Sequence, residues 1–185
     1  MDSFYVKKIQ ILTPTTLDSM LEVIDKPFQR RRFLTLLYSG MRYAEYLRFY
    51  DNPDWYIKSR NSIHLPEHAT KKAKRKQLER YVHPLPDMMR EIIEPFHKDP
   101  KPPTLQTWNE NLTRWAIKAG IDPTGISAKT TRKTIESWMI VAGVPVNVVY
   151  LRQGHDELTS LQHYQGLPFT PSEKEEIKRR LAGWV

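Results

Sequence analysis

The chain has 185 residues, no cysteine, and 29 lysines and arginines against 21 acidic residues, which gives a formal net charge of +8. The length suits one domain with a substantial core, and the lack of cysteine excludes disulfide scaffolds, thiolate metal sites and a thiol nucleophile. No apolar run approaches the roughly 20 residues of a membrane span, and no signal peptide is visible. We therefore expect an intracellular protein without a membrane partner, whose basic balance favours nucleic acid.

The elements predicted along the chain are mostly helical. Helices are expected at 16–25, at 27–40 between Pro27 and a stop at Gly40, and at 41–49. Short strands at 62–65 and 80–85 would form a hairpin whose turn is the basic segment between them. Further helices are expected at 87–97, 105–119, 129–142, 146–153, 157–164 and 172–181. The predicted fold class is a mostly α-helical α+β domain with a small antiparallel β-sheet.

Basic side chains are concentrated in three clusters. Each cluster alone is typical of a solvated surface. The first contains Lys71, Lys72, Lys74, Arg75, Lys76 and Arg80, the second Lys26, Arg30, Arg31 and Arg32, and the third Lys129, Arg132 and Lys133.

Arg42 follows Gly40 by two residues at the predicted start of a helix, in the segment SGMRYAEYL. Glu45 lies one turn later, where its carboxylate is positioned to hold the guanidinium. By itself this pattern also fits an ordinary surface ion pair.

Lys129 and Arg132 open a helix and, three residues apart, share one face of it. Cations gain nothing from the dipole at a helix N-terminus, so we expect them to share an external anion with the helix amides. An ordinary basic helix start explains the pattern equally well.

The segment Gln153-Gly-His155 is followed by Tyr164 nine residues after the histidine. The spacing of His155 and His163 does not match a zinc site. A tyrosine can act as a nucleophile, although core packing is the more usual role of such a residue.

In this order, the segments resemble the catalytic domain of tyrosine recombinases, the family of phage integrases, Cre and Xer proteins. Arg42 matches the arginine of T-G-[ML]-R-x-x-E-L, Arg132 that of H-x-x-R, and His155 the histidine of L-G-H. Tyr164 matches the tyrosine nine residues later. The resemblance extends from about residue 16 to residue 166.

Two positions depart from the family pattern. Lys129 replaces the histidine of H-x-x-R, as in archaeal virus and plasmid integrases and type IB topoisomerases, and Gln153 replaces the leucine before Gly-His. No segment resembles the family's N-terminal arm-binding or core-binding domain, so we expect a single catalytic domain over 1–185. The tail at about 168–185 is expected either to dock on a neighbouring subunit or to close its own core.

The resemblance implies a site-specific recombinase, such as one that integrates a viral genome. Tyr164 would attack DNA to form a 3′-phosphotyrosyl link, with Arg42 and Arg132 holding phosphate oxygens and Lys129 or His155 assisting proton transfer. Lys72 is the first choice for the general acid, before Lys71 and Lys74. Duplex backbone would be gripped by Lys71, Lys74, Arg75, Lys76, Arg30 and Arg31.

Neither a metal nor another cofactor is implied. The expected partners are double-stranded DNA and further copies of the chain. We expect a monomer in solution and a tetramer on DNA. The expected location is the cytoplasm of a prokaryotic host, in association with the nucleoid.

Two other functions remain open. A relaxase similar to type IB topoisomerases would use the same residues as a monomer. A non-catalytic DNA-binding module would use residues 145–153, which follow Ala142-Gly143 as the second helix of a helix-turn-helix.

Overall fold

The structure, a computed structural model, describes residues 3–69, 79–154 and 166–184. A β-hairpin, formed by β1 (Phe4–Val6) and β2 (Ile9–Ile11), comes first and precedes three helices: α1 (Pro14–Val23), α2 (Pro27–Ser39) and α3 (Tyr43–Asp51). A three-stranded antiparallel sheet follows, in the order β3 (Tyr56–Ile57), β4 (Ser62–Leu65), β5 (Arg80–Val82). The later helices are α4 (Met89–Lys98), α5 (Leu105–Lys118), α6 (Ala128–Ala142), α7 (Val146–Gln153) and α8 (Pro171–Arg180).

The predicted class, mostly helical with small antiparallel sheets, is confirmed. The predicted hairpin is also present, with Ile63 opposite Val82 and Leu65 opposite Arg80, although its second strand ends at Val82. Strands β1, β2 and β3 were not predicted from the sequence. The helix predicted at 157–164 and the basic segment at 71–78 lie outside the described residues.

Helix ends position the later site. Pro27 lies in the first turn of α2, and Gly40 closes that helix at φ 61°, a left-handed conformation that glycine adopts without strain. Two residues later, Arg42 is the N-cap of α3. Ser127 caps α6 in a reciprocal arrangement with Thr130, which sets the start of the helix that carries Arg132.

Helix α6 is the central element, packed against α2, α5, α7, α8 and β2. Its side chains Ile135, Trp138 and Met139 are fully buried. The Trp138 indole donates to the Leu12 carbonyl at 3.0 Å, which ties the helix to the connection between β2 and α1. Packing along most of helix α6 therefore fixes the position of its first turn.

The C-terminal tail packs on its own chain. Ile177, Leu181 and Trp184 are buried in the common core, and Arg180 binds both carboxylate oxygens of Asp18 on α1, at 3.1 and 2.6 Å. In this single chain the tail closes its own core, while exchange between subunits stays a prediction. Among the described residues, no helix combines the length and the apolarity needed to cross a bilayer.

Candidate active site

A cleft of about 400 Å³ lies between the starts of α3, α5 and α6. Four basic side chains, Arg42, Lys129, Arg132 and Lys133, lie along it. The wider depression of about 820 Å³ along the exposed face of α5 has one arginine and one glutamate. Of these two cavities, the smaller has the greater excess of basic side chains and is therefore better suited to an anion.

Glu45 is the centre of the hydrogen-bond network beside the cleft. It accepts two bonds from Arg80, at 3.0 and 2.7 Å, and one from the Arg42 guanidinium at 2.8 Å. The Arg42 backbone N–H donates to the second oxygen at 2.8 Å. Burial alone would raise the pKa of Glu45, but the Arg80 hydrogen bonds and the charges of Arg80, Arg42 and Arg132 lower it to about 2. Glu45 is thus a permanent carboxylate that orients two arginines.

Arg132 is buried, with 7% of its surface exposed, one turn into α6. Its guanidinium donates to the Gly40 carbonyl at 2.6 Å, to the Gln153 side-chain oxygen at 3.1 Å and to the Gln153 carbonyl. Burial, followed by repulsion from Arg42 and Arg80, lowers the pKa of Arg132 to about 9. The group therefore stays charged at neutral pH in surroundings that favour an added anion.

The end of α7 is bonded to all three arginines. In addition to the Arg132 contacts with Gln153, Arg42 donates to the Gly154 carbonyl at 3.3 Å and Arg80 donates to the Arg152 carbonyl at 3.0 Å. The backbone that immediately precedes His155 in the sequence is thus held by Arg132 and by the two guanidiniums that meet at Glu45.

The first amides of α6 are already occupied. The Ala128 N–H donates to the Asn109 side chain at 2.8 Å, and the Lys129 N–H donates to the Ser127 hydroxyl at 3.3 Å. The expectation that these amides share an external anion is therefore wrong, because capping uses them. Lys129 itself is exposed, so an anion at this end of the cleft would be bound by side chains.

The second basic cluster ties α2 to neighbouring segments. Arg31 binds Asp99 at 2.8 Å through its Nε, Arg30 donates to the Ile24 carbonyl at 2.6 Å, and buried Arg32 donates to the Lys101 carbonyl at 3.0 Å. The DNA-binding role of Arg30 and Arg31 stays a prediction. The predicted residues Lys71, Lys72, Lys74, Arg75, Lys76, His155 and Tyr164 lie outside the described residues.

The sequence analysis gave Arg80 no role at the site, although it counted this residue in the basic cluster. Strand β5 alternates buried Arg80, exposed Tyr81 and buried Val82. That alternation was readable in the sequence and places Arg80 on the inward face. A buried arginine needs acceptors for its N–H groups, and here the Glu45 carboxylate supplies two of them and the Arg152 carbonyl a third.

Helix α7 does not offer a basic recognition face. Its one basic side chain, Arg152, is buried, donates to the Pro84 carbonyl at 3.1 Å and stacks over the Trp184 ring at 4.8 Å. Asn147 and Leu151 are its exposed side chains. The structure therefore gives no support to the helix-turn-helix alternative.

The fold has counterparts among solved structures. The Tn1549 transposon integrase (aa 82-397), in complex with circular intermediate DNA, superposes with a TM-score of 0.70 at 17% identity, covering 93% of this chain and 67% of that one. Its Y379F form, in complex with transposon right end DNA, gives 0.69 at 17% identity, covering 98% and 69%. No protein-family model and no curated protein matches the sequence. The chain therefore has the fold of the Tn1549 integrase.

Proposed function

We propose that the protein cuts and rejoins DNA strands by the tyrosine-recombinase reaction and acts as a site-specific integrase. The observation that carries the proposal is the meeting of Arg42 and Arg80 on the Glu45 carboxylate, with Arg132 near enough for its charge to act on them, beside a basic cleft. It occurs in a fold shared with an integrase that was solved on DNA.

The chemistry needs positive charge at a phosphodiester, because its anionic oxygens repel a nucleophile. Arg42 and Arg132 are the groups we assign to the non-bridging oxygens, since a planar guanidinium binds two oxygens at once. Glu45 and Arg80 act through them as positioning residues. Lys129, exposed at the rim, would contact the same phosphate.

We assign the nucleophile to Tyr164. Its phenol gives up its proton to His155 or Lys129, the residues we assign to proton transfer, and the phenolic oxygen bonds to phosphorus. The bond to the 5′-oxygen breaks, and that oxygen leaves as a hydroxyl after taking a proton from the general acid. The 5′-hydroxyl of the same or another strand then reverses the step. The phosphoester bond that breaks is replaced by the phosphotyrosyl ester, so neither ATP nor another energy source is needed.

The test is a nicked suicide duplex taken from the chain's own attachment region, followed by a denaturing gel. Wild type should give a covalent protein–DNA adduct, while Tyr164→Phe binds DNA normally and gives none. Tyr81→Phe and Tyr150→Phe are the matched controls and should retain the adduct. An adduct in Tyr164→Phe, or one mapped to Tyr81 or Tyr150, would refute the assignment.

Cleavage should continue in excess EDTA, because guanidiniums supply the charge at the phosphate. A strict requirement for Mg²⁺ or Mn²⁺ would point to another nuclease chemistry. Relaxation of supercoiled plasmid by dilute protein, with no recombinant products, would instead favour the topoisomerase-like relaxase. Formation of a four-copy assembly on DNA, measured by sedimentation, is expected only for the recombinase.

The general acid is assigned to Lys72. Lys72→Ala should lower cleavage by about 10²–10⁴-fold, the usual scale for general acid catalysis. A substrate with sulfur at the bridging 5′ position needs little protonation and should restore its cleavage, whereas Arg132→Ala should not be restored. Lys71→Ala and Lys74→Ala are controls that should show no selective restoration. Restoration in either of them moves the assignment to that lysine.

A further inference from the structure

The turn between β1 and β2 has an unusual residue choice. Val6 pairs with Ile9, so the connection consists of Lys7 and Lys8 alone, with φ of 49° and 65°. A two-residue hairpin turn with both φ values positive is of type I′, which strongly favours Asn-Gly. Lysine side chains are strained in this region. The demands of the turn therefore do not explain these two residues.

The hairpin is held against the segment that opens α6. The Gln10 N–H donates to the Gly125 carbonyl at 3.0 Å, and the Leu12 N–H donates to the Thr134 hydroxyl at 3.0 Å. A Cβ on Gly125 would lie 2.7 Å from the Lys8 carbonyl oxygen, so the two backbones are in close approach. The turn thus has a defined position beside the start of α6.

Both lysines are exposed, and neither forms an ion pair with a carboxylate of the described residues. Lys133 lines the cleft, and burial is the chief cause that lowers its pKa. Glu136 acts to raise this pKa, whereas the charges of Arg132 and Lys7 lower it further. Lys7 therefore lies close enough to Lys133 for their charges to interact. Positive charge continues from the cleft onto the turn.

We propose that Lys7 and Lys8 bind phosphates of a DNA duplex that lies across the cleft, so that the DNA-contact surface includes the N-terminal hairpin. The proposal rests on the proposed function for the position of the duplex. Two lysine ammonium groups on a turn of defined position can bind backbone phosphates, but these contacts do not distinguish one base from another. The strain in the turn is accounted for if these lysines are retained for binding.

The test is Lys7→Asn/Lys8→Gly, which installs the preferred turn residues and removes two charges. We expect stability and binding to change in opposite directions: a higher melting temperature and weaker binding of a short labelled duplex of arbitrary sequence. The slope of log affinity against log salt should decrease by about 2, since each lost phosphate contact removes about 0.9. Lys174→Gln/Lys178→Gln makes the same charge change on α8, which contributes no residue to the lining of the cleft, and should leave the slope unchanged.

Unchanged affinity and slope in the turn variant, or an equal loss in the α8 control, would overturn the proposal. If the turn variant melts below wild type, Lys7→Gln/Lys8→Gln removes the charges from side chains only one atom shorter and decides the question by the same slope. The two proposals fail separately. Wild type that forms no adduct, with binding still weakened by the turn variant, refutes only the strand-transfer chemistry. Adduct formation with an unchanged slope refutes only the lysine turn.

Discussion

Separating Arg80 from Glu45 tests the arginine cluster most directly. The two side chains are only 3% and 2% exposed, and Arg80→Met leaves a buried carboxylate that keeps its bonds from the Arg42 guanidinium and the Arg42 backbone N–H. The pKa of Glu45, about 2 against an ordinary 4.5, corresponds to about 3 kcal/mol of stability at neutral pH. Removing one partner of a buried pair costs ~3–5 kcal/mol. We therefore expect Arg80→Met to lose about 3 kcal/mol.

The pH dependence follows from the same shift. Because the pKa of Glu45 is lower in the folded than in the unfolded state, its stabilisation is complete above the unfolded value and is lost as the pH falls toward about 2. Urea unfolding of the wild type should therefore show a falling midpoint between about pH 5 and pH 2. Glu45→Gln should have a lower midpoint at pH 7 and a flatter decline.

The double variant Arg80→Met/Glu45→Gln provides the decisive comparison. Each single change leaves the other group buried without its partner, so the double change should cost clearly less than the two together. Lys58→Met, which breaks the exposed pair with Glu94, is the control and should leave the midpoint almost unchanged. Strictly additive costs, or a loss below about 1 kcal/mol for Arg80→Met, would refute the reasoning.

Three further predictions concern the surroundings of the site. Gly40→Ala should cost ~1–3 kcal/mol and reduce adduct formation, because a Cβ at φ 61° would lie 2.6 Å from the Gln153 side-chain oxygen; thermal melting and the suicide duplex measure both. Trp184→Ala should cost about 3 kcal/mol in urea unfolding, with Trp184→Phe much milder, because the ring is buried against Arg152. Arg132→Lys should lower adduct formation by ~100-fold with DNA affinity nearly unchanged, since the charge remains but the fork to Gly40 and Gln153 is lost. Unchanged rates in Arg132→Lys would contradict the role given to the fork.

The elements predicted from the sequence have local signals. Pro27 and Gly40 mark the two ends of α2, and α7 was predicted with its observed bounds. The β1–β2 hairpin was missed because its strands have three residues each and its turn is Lys-Lys instead of Asn-Gly. The Lys7-Lys8 turn, which made the hairpin hard to recognise in the sequence, is also the feature from which we infer a DNA contact.

The site was predicted in part. The Arg42–Glu45 pair follows from the spacing of three residues and is confirmed at 2.8 Å. The ion pair between Glu45 and Arg80 joins residues 35 apart in the chain, and nothing local in the sequence indicates that these two side chains meet. Arg132 shares a face with Lys129 as predicted, but tertiary packing around α6 buries the former and leaves the latter exposed.

Helix α3 anchors both stems of the segment between β4 and β5. Arg48 donates to the Ala69 carbonyl at 2.5 Å, and Glu45 binds Arg80 at the start of β5. The length of the segment can therefore be varied on either side of Lys72 without removing the bonds that hold its two ends. Variants that differ only in this length would separate the reach of the assigned general acid from the stability of the arginine cluster.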